Sequence, residues 1–166
     1  MKKRINKKAS ATDMIFIAIV LTFFAIVTLI SFKITNTFNA EIQTNSIFPT
    51  EAKTSTSSLT NIYSGTLDNM SLFVLIGLTI ASIALASLVR IHPIFIAFFF
   101  IVYVFIIFIS AILSNVYTEM ASHALLITEA NQLTMMGFIL GKLPFIIGII
   151  GIIIMVIMYK TWSNSQ

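Results

Sequence analysis

The sequence predicts an all-α, polytopic integral membrane protein with four transmembrane helices and both termini on the cytoplasmic side. Three observations support this prediction. Hydrophobic residues make up 58% of the 166 residues and charged residues only 10%, whereas soluble domains average roughly 45–50% and about 25%. Four stretches are nearly free of charge and long enough for a helix that crosses a bilayer, which takes roughly 20 residues. Basic and acidic residues are also segregated between the connecting segments.

The four apolar stretches divide the chain into nine segments. We expect helices because lipid offers no partners to open backbone groups, and the stretches lack the alternation of a membrane β-barrel. The predicted spans are residues 14–33, 70–89, 94–113 and 137–159. A basic tail (1–13), a long loop (34–69), a short turn (90–93), a second connection (114–136) and a C-terminal tail (160–166) flank them.

The charges of these segments predict the orientation, because cytoplasmic segments are enriched in Lys and Arg. Basic residues occur in the N-terminal tail, in the turn at Arg90 and in the C-terminal tail at Lys160. The other two connections hold five of the six acidic residues: Glu41, Glu51, Asp68, Glu119 and Glu129. A cleaved signal peptide is the alternative for the first stretch, but its apolar run exceeds the usual h-region and the cleavage pattern is poor.

The two acidic connections differ in composition. Residues 34–69 are rich in Ser, Thr and Asn, which favours an exposed, flexible loop. Residues 114–136 contain no Gly or Pro and many helix-forming residues. This second connection therefore either extends the third span beyond the bilayer or forms a short helix on the membrane surface.

Small residues recur at helical spacing in the second and fourth spans, where they permit close helix packing. We expect the two spans to pack through these faces, against each other or against neighbouring copies. The predicted packing residues are Gly77, Ala81, Ala84, Gly137, Gly141, Gly148 and Gly151.

Apart from Lys33 at the last position of the first span, Lys142 is the one formal charge within a predicted span. A lysine near a helix end extends its ammonium group to the headgroups, and Pro144 suits the first turn of a helix that begins at the interface. A specific ion pair with Glu129 or Glu119 is the alternative. Glu119 and His123 are four residues apart, so we expect a solvated or mutually hydrogen-bonded pair rather than a metal site.

Other chemical signatures are lacking in the sequence. It contains no cysteine, no glycine-rich phosphate loop and no HExxH or GxSxG motif. We therefore expect a protein that is not an enzyme, with no catalytic residue, metal or cofactor. The expected partners are membrane lipid, further copies of the chain, or other membrane or coat proteins. Nucleic acid is not expected, and no small-molecule substrate is indicated.

Three segments carry a resemblance to a group of known proteins. They are Arg90-Ile91-His92-Pro93-Ile94-Phe95, Ser114-Asn115-Val116-Tyr117-Thr118-Glu119 and Leu143-Pro144-Phe145. Together they make the C-terminal two thirds of the chain resemble small polytopic membrane proteins of bacteriophages and other viruses of microbes. The resemblance implies a structural or assembly protein of a viral membrane, located in a virion membrane or a cell inner membrane. The alternatives are an accessory subunit of a cellular membrane complex and, with less support, a holin-like channel.

Overall fold

The computed structural model describes residues 11–88 and 93–163 of the chain, and within these ranges the protein is all-helical. Most of the basic tail, the turn containing Arg90 and His92, and the last three residues lie outside the described residues. The helices are α1 (Ala11–Thr44), α2 (Thr50–Ile62), α3 (Asp68–Leu88), α4 (Pro93–Ser122), α5 (Ile127–Gln132), α6 (Thr134–Gly141) and α7 (Leu143–Ser163). A π-helical turn, Tyr63–Leu67, joins α2 to α3.

Four helical segments of the described chain are long and apolar enough to cross a membrane, as the sequence predicts. They are Met14–Thr44, Thr50–Ala84, Ala97–Ser122 and Leu143–Thr161. Each contains one of the predicted apolar stretches, or most of it. The first three segments are longer than predicted because their helices continue into the neighbouring polar residues.

The helices pack around α1 and α4. Helix α1 contacts α2, α3 and α4, while α7 packs mainly against α4 and also against α3. One face of α1 is buried, at spacings of three and four residues: Met14, Ile17, Leu21, Ala25, Leu29 and Phe32. The opposite face is exposed, and it is also apolar: Phe16, Ile19, Phe23, Val27 and Ile30.

The segment 34–69 differs from the flexible loop that the sequence predicts. Helix α1 continues to Thr44, and α2 returns along it as the second arm of a helical hairpin. The reason is that its hydroxyls bond backbone carbonyls one turn earlier, so polar residues fit within a helix. These bonds include Thr35 to Ser31, Thr54 to Thr50, Ser55 to Glu51 and Ser58 to Thr54.

Residues 114–136 contain the end of one long helix and a separate short helix. Helix α4 extends to Ser122, and after a turn the short helix α5 occupies Ile127–Gln132. The chain then bends at Leu133 and enters α6.

The fourth predicted span consists of two helices rather than one. Helix α6 ends at Gly141, α7 begins at Leu143, and Lys142 between them has a φ of −111° and a ψ of 13°. Pro144 lies in the first turn of α7, as the sequence predicts, because its missing N–H would break a helix that continued through it.

Candidate functional site: buried carboxylates at the polar end

The C-terminal part of α1, the start of α3, the end of α4 and the start of α6 meet at one end of the bundle, which we call the polar end. Hydrogen bonds from Lys33 to Glu129 and from Met135 to Asp68 establish this arrangement. Asp68 and Glu129 are only 3% exposed. A buried carboxylate is costly unless it is paired or hydrogen-bonded, so the partners of these two groups indicate what they do.

Asp68 caps α6 from another helix. Its Oδ1 accepts a hydrogen bond from the backbone N–H of Met136 at 2.8 Å, and its Oδ2 accepts one from Met135 at 2.9 Å. The Thr134 hydroxyl lies 3.3 Å from the same Oδ2. The first amides of a helix lack partners within it and attract negative charge. Asp68 therefore does what an N-cap side chain does, although it is distant in the sequence.

The π-helical turn directly precedes Asp68. In this turn the backbone N–H of Asp68 reaches back to the carbonyl of Tyr63, which adds a residue to the turn and shifts the phase of the helix. The side chain of Asn69 donates a hydrogen bond to the carbonyl of Gly65 at 2.8 Å. Helix α2, the turn and α3 form one continuous helical run. Because of the turn, the polar α2 lies along α1 while the Asp68 side chain is directed toward α6.

Glu129 is tied to α1. Its Oε1 accepts hydrogen bonds from Lys33 Nζ at 3.4 Å and from Asn36 Nδ2 at 3.2 Å. The Lys33 side chain is 39% exposed and that of Glu129 4%, so the ion pair lies at the edge of the protein interior. The other carboxylate oxygen, Oε2, is buried and has no hydrogen-bond partner among the described residues.

Two tyrosines lie close to these carboxylates. Tyr117 is 2% exposed, and its hydroxyl has no hydrogen-bond partner in the described part of the chain. It is near enough to Asp68 for the two groups to interact electrostatically. Tyr63 stacks on Phe32 with ring centroids 5.3 Å apart, which fixes the π-helical turn against α1.

The chemistry of this end is therefore that of helix attachment. Oxygen atoms of both carboxylates accept hydrogen bonds from neighbouring helices, and within residues 11–88 and 93–163 no group of three His, Asp or Glu side chains is placed to hold a metal ion. From the sequence, Asp68 and Tyr117 were members of connecting segments, and Lys33 was the last residue of the first predicted span. An aspartate directly before an apolar run was the available signal for Asp68, but its partner is 66 or more residues away.

The small residues that were predicted to pack helices together fall into two groups, and only one group has close neighbours in the structure. Gly77 and Ala81 are exposed on α3, and Ala84 is also exposed. A Cβ atom added to Gly77, Gly137 or Gly141 would meet nothing within 4 Å. Helix α3 does pack against α6 and α7, but these glycines do not provide close contacts within one chain.

Gly148 and Gly151 instead accommodate Tyr103 of α4. The Tyr103 hydroxyl donates a hydrogen bond to the carbonyl of Gly148. A Cβ atom at Gly151 would overlap the Tyr103 ring. These two glycines therefore bring the fourth predicted span against the third, a pairing that the sequence pattern did not indicate.

The ion pair of Lys142 with Glu129, the alternative to a position at the interface, is not formed. Lys142 is exposed, and Glu129 pairs with Lys33 instead. His123 accepts a hydrogen bond from the N–H of Leu125 at its Nδ1, because α4 ends one residue earlier. Glu119 is exposed on the last turns of α4.

These features define a class of protein: an all-helical chain in which four apolar helices are long enough to cross a membrane. No family model, curated protein or solved structure matches this chain.

Proposed function

We propose that the chain is a multi-pass integral membrane protein with both termini on the cytoplasmic side, and that it serves as a non-enzymatic structural or assembly component of a viral membrane. The polar end lies on the opposite side of the membrane and contacts coat proteins or further copies of the chain. In a virion, the side that this end faces depends on how the membrane was acquired.

The observation that supports the structural role is that the two buried carboxylates accept hydrogen bonds from neighbouring helices. Asp68 joins α3 to α6, and Glu129 joins α5 to α1. Both carboxylates thereby hold the polar end as one rigid unit. This is the arrangement expected of a protein that presents a surface, whereas a catalytic site would leave reactive groups in contact with a substrate.

The exposed side chains support insertion in a membrane. Several phenylalanines on the outside of the candidate spans are more than half exposed: Phe16, Phe23, Phe73, Phe98, Phe105, Phe108 and Phe145. Soluble monomers rarely expose contiguous apolar surface of this kind. The charge segregation described above supports the N-in, C-in orientation, and the resemblance to viral membrane proteins supports the viral membrane.

Mass spectrometry of the proteins that co-purify with the native chain in mild detergent tests this proposal. We expect capsid or other virion proteins in high copy number, with untagged membranes processed in parallel as the control. Respiratory, transport or secretion subunits at fixed stoichiometry would contradict the viral role and favour an accessory subunit. A homogeneous ring of the chain alone would also contradict it and favour a channel.

A further inference from the structure

The tip of the α1–α2 hairpin carries exposed apolar side chains. Residues 45–49 connect the two helices, and within them Ile47 is 84% exposed and Phe48 is 39% exposed. The surrounding residues Asn45, Ser46 and Thr50 are polar. An isolated exposed apolar residue is ordinary, so the position and rigidity of this tip determine whether it has a function.

The tip lies too far from the proposed bilayer to be covered by it. Helix α1 continues from Lys33, the first charged residue after the apolar stretch, to Thr44. At 1.5 Å per residue this length is about 17 Å. The headgroup layer on one side of a bilayer is only about 5–8 Å thick. Ile47 and Phe48 therefore extend beyond the headgroups of the membrane that holds the helices.

The hairpin holds the tip in a defined shape. Gln43 Nε2 donates hydrogen bonds to the Lys53 carbonyl at 2.8 Å and to Ser57 Oγ at 3.0 Å, and Lys53 Nζ donates one to the Gln43 carbonyl at 3.1 Å. The Asn45 side chain accepts a hydrogen bond from the Ile47 N–H at 3.0 Å. A rigid loop loses little conformational entropy when it binds, which favours its use as a contact.

The charges around the tip limit what can bind it. Glu41 lies one turn before the end of α1, Glu51 lies in the first turn of α2, and both are exposed. The ammonium group of Lys53 donates a hydrogen bond to the Gln43 carbonyl and keeps its charge, so two negative charges and one positive charge surround the tip. An acidic rim is repelled by the anionic headgroups of a second membrane.

We propose that Ile47 and Phe48 dock into an apolar pocket of a partner protein whose rim carries Lys or Arg. Apolar anchors surrounded by complementary charge are the usual form of such contacts, in which the anchors supply affinity and the charges supply specificity. This proposal rests on the proposed function, since it requires the polar end to face away from the cytoplasm.

Single-cysteine accessibility in native membranes tests the docking, because the chain contains no cysteine. An exposed Ser46→Cys variant, which leaves both apolar anchors intact, and an exposed Ser58→Cys control on α2 are treated with a membrane-impermeant maleimide. The same variants, purified in nanodiscs of neutral and of anionic lipid, provide the references. If nine tenths of the tips are docked, labelling at position 46 in native membranes is about tenfold slower than in nanodiscs, while labelling at position 58 is unchanged. Adding Glu41→Gln and Glu51→Gln restores fast labelling.

Other outcomes overturn the docking. Equal labelling of Ser46→Cys in native membranes and nanodiscs shows a free tip. Protection in neutral nanodiscs shows contact between copies, and protection only in anionic nanodiscs shows contact with lipid. If the tip cysteine stays protected in native membranes after Glu41→Gln and Glu51→Gln are added, the proposed Lys or Arg rim of the partner pocket is wrong. If both cysteines react only from the cytoplasmic side, the proposed orientation is wrong, which separates that failure from a failure of docking.

Discussion

Asp68 shows how a single side chain determines the path of the chain at the polar end. Its carboxylate lies at the start of α3 and accepts hydrogen bonds from two backbone amides at the start of α6. Without a partner, the Met136 amide would be a buried donor, which costs about 1–3 kcal/mol, and the partly buried Met135 amide would cost less. The bend at Leu133 therefore depends on a residue in another helix.

Replacing Asp68 with Ala should lower the free energy of unfolding by about 2–4 kcal/mol, because one buried and one partly buried amide lose their acceptor. Asp68→Asn retains one acceptor oxygen and should cost less. Denaturation in mixed detergent micelles measures both values. Glu119→Ala, which removes an exposed carboxylate from the same end, is the control and should have little effect. Equal stabilities of Asp68→Ala and the control would show that α6 does not need this cap.

Lys33 and Glu129 should behave as a coupled pair. Lys33→Met leaves the buried Glu129 carboxylate with Asn36 as its partner, so we expect a substantial loss of stability. Combining Lys33→Met with Glu129→Gln removes the unpaired charge and should restore part of that loss. A double-mutant cycle of unfolding free energies measures the coupling. Additive effects would indicate that the two side chains do not interact in the folded protein.

The residues of this site could be predicted only in part. The sequence places Asp68, Lys33 and Glu129 near the ends of apolar stretches, so their general location follows from hydropathy. Their pairing does not, because Lys33 and Glu129 are 96 residues apart and one sequence carries no information on which helices are neighbours. The ion pair of Lys142 with Glu129, which was the alternative to a position at the interface, is not formed, since Glu129 pairs with Lys33.

At the scale of helices, apolar length predicts the existence of the four main segments but not their ends. Ser and Thr predict a loop in residues 34–69 because they favour turns in water. In the structure their hydroxyls bond the preceding turn, and α2 packs along α1. Tertiary packing thus overrides local preference. Lys142 and Pro144, by contrast, correctly indicate the start of α7.

The glycines of the fourth predicted span provide a test of helix packing. Gly151→Ala places a methyl group on the Tyr103 ring, so we expect a loss of about 1–3 kcal/mol in unfolding free energy. Gly77→Ala on α3 meets no atom within 4 Å and is the matched control, with stability unchanged or slightly increased. Adding Tyr103→Leu to Gly151→Ala should recover part of the loss.

If Gly77→Ala lowered the unfolding free energy more than Gly151→Ala, the packing of α4 against α7 would be contradicted. A loss of stability in Gly77→Ala would place another helix or another copy against the exposed face of α3.

At the scale of the whole molecule, the outer surface of the long helices is apolar, whereas the surface of a soluble protein is largely polar. Phenylalanines lie on the outside of α1, α3, α4 and α7, while buried carboxylates lie at one end. Composition and the four apolar stretches were sufficient to predict an all-helical fold with four long apolar helices among the described residues. The shape of the polar end was not predictable, since it depends on helix contacts and on the π-helical turn.

The central claim is that the chain crosses a membrane four times with its polar end and its termini on opposite sides. Labelling of Ser58→Cys and Ser163→Cys with a membrane-impermeant maleimide, in intact and in permeabilised cells, tests it most directly, because both serines are exposed and the chain has no cysteine of its own. We predict that Ser58→Cys reacts in intact cells and Ser163→Cys only after permeabilisation. Labelling of both positions from the same side of the membrane would contradict the claim.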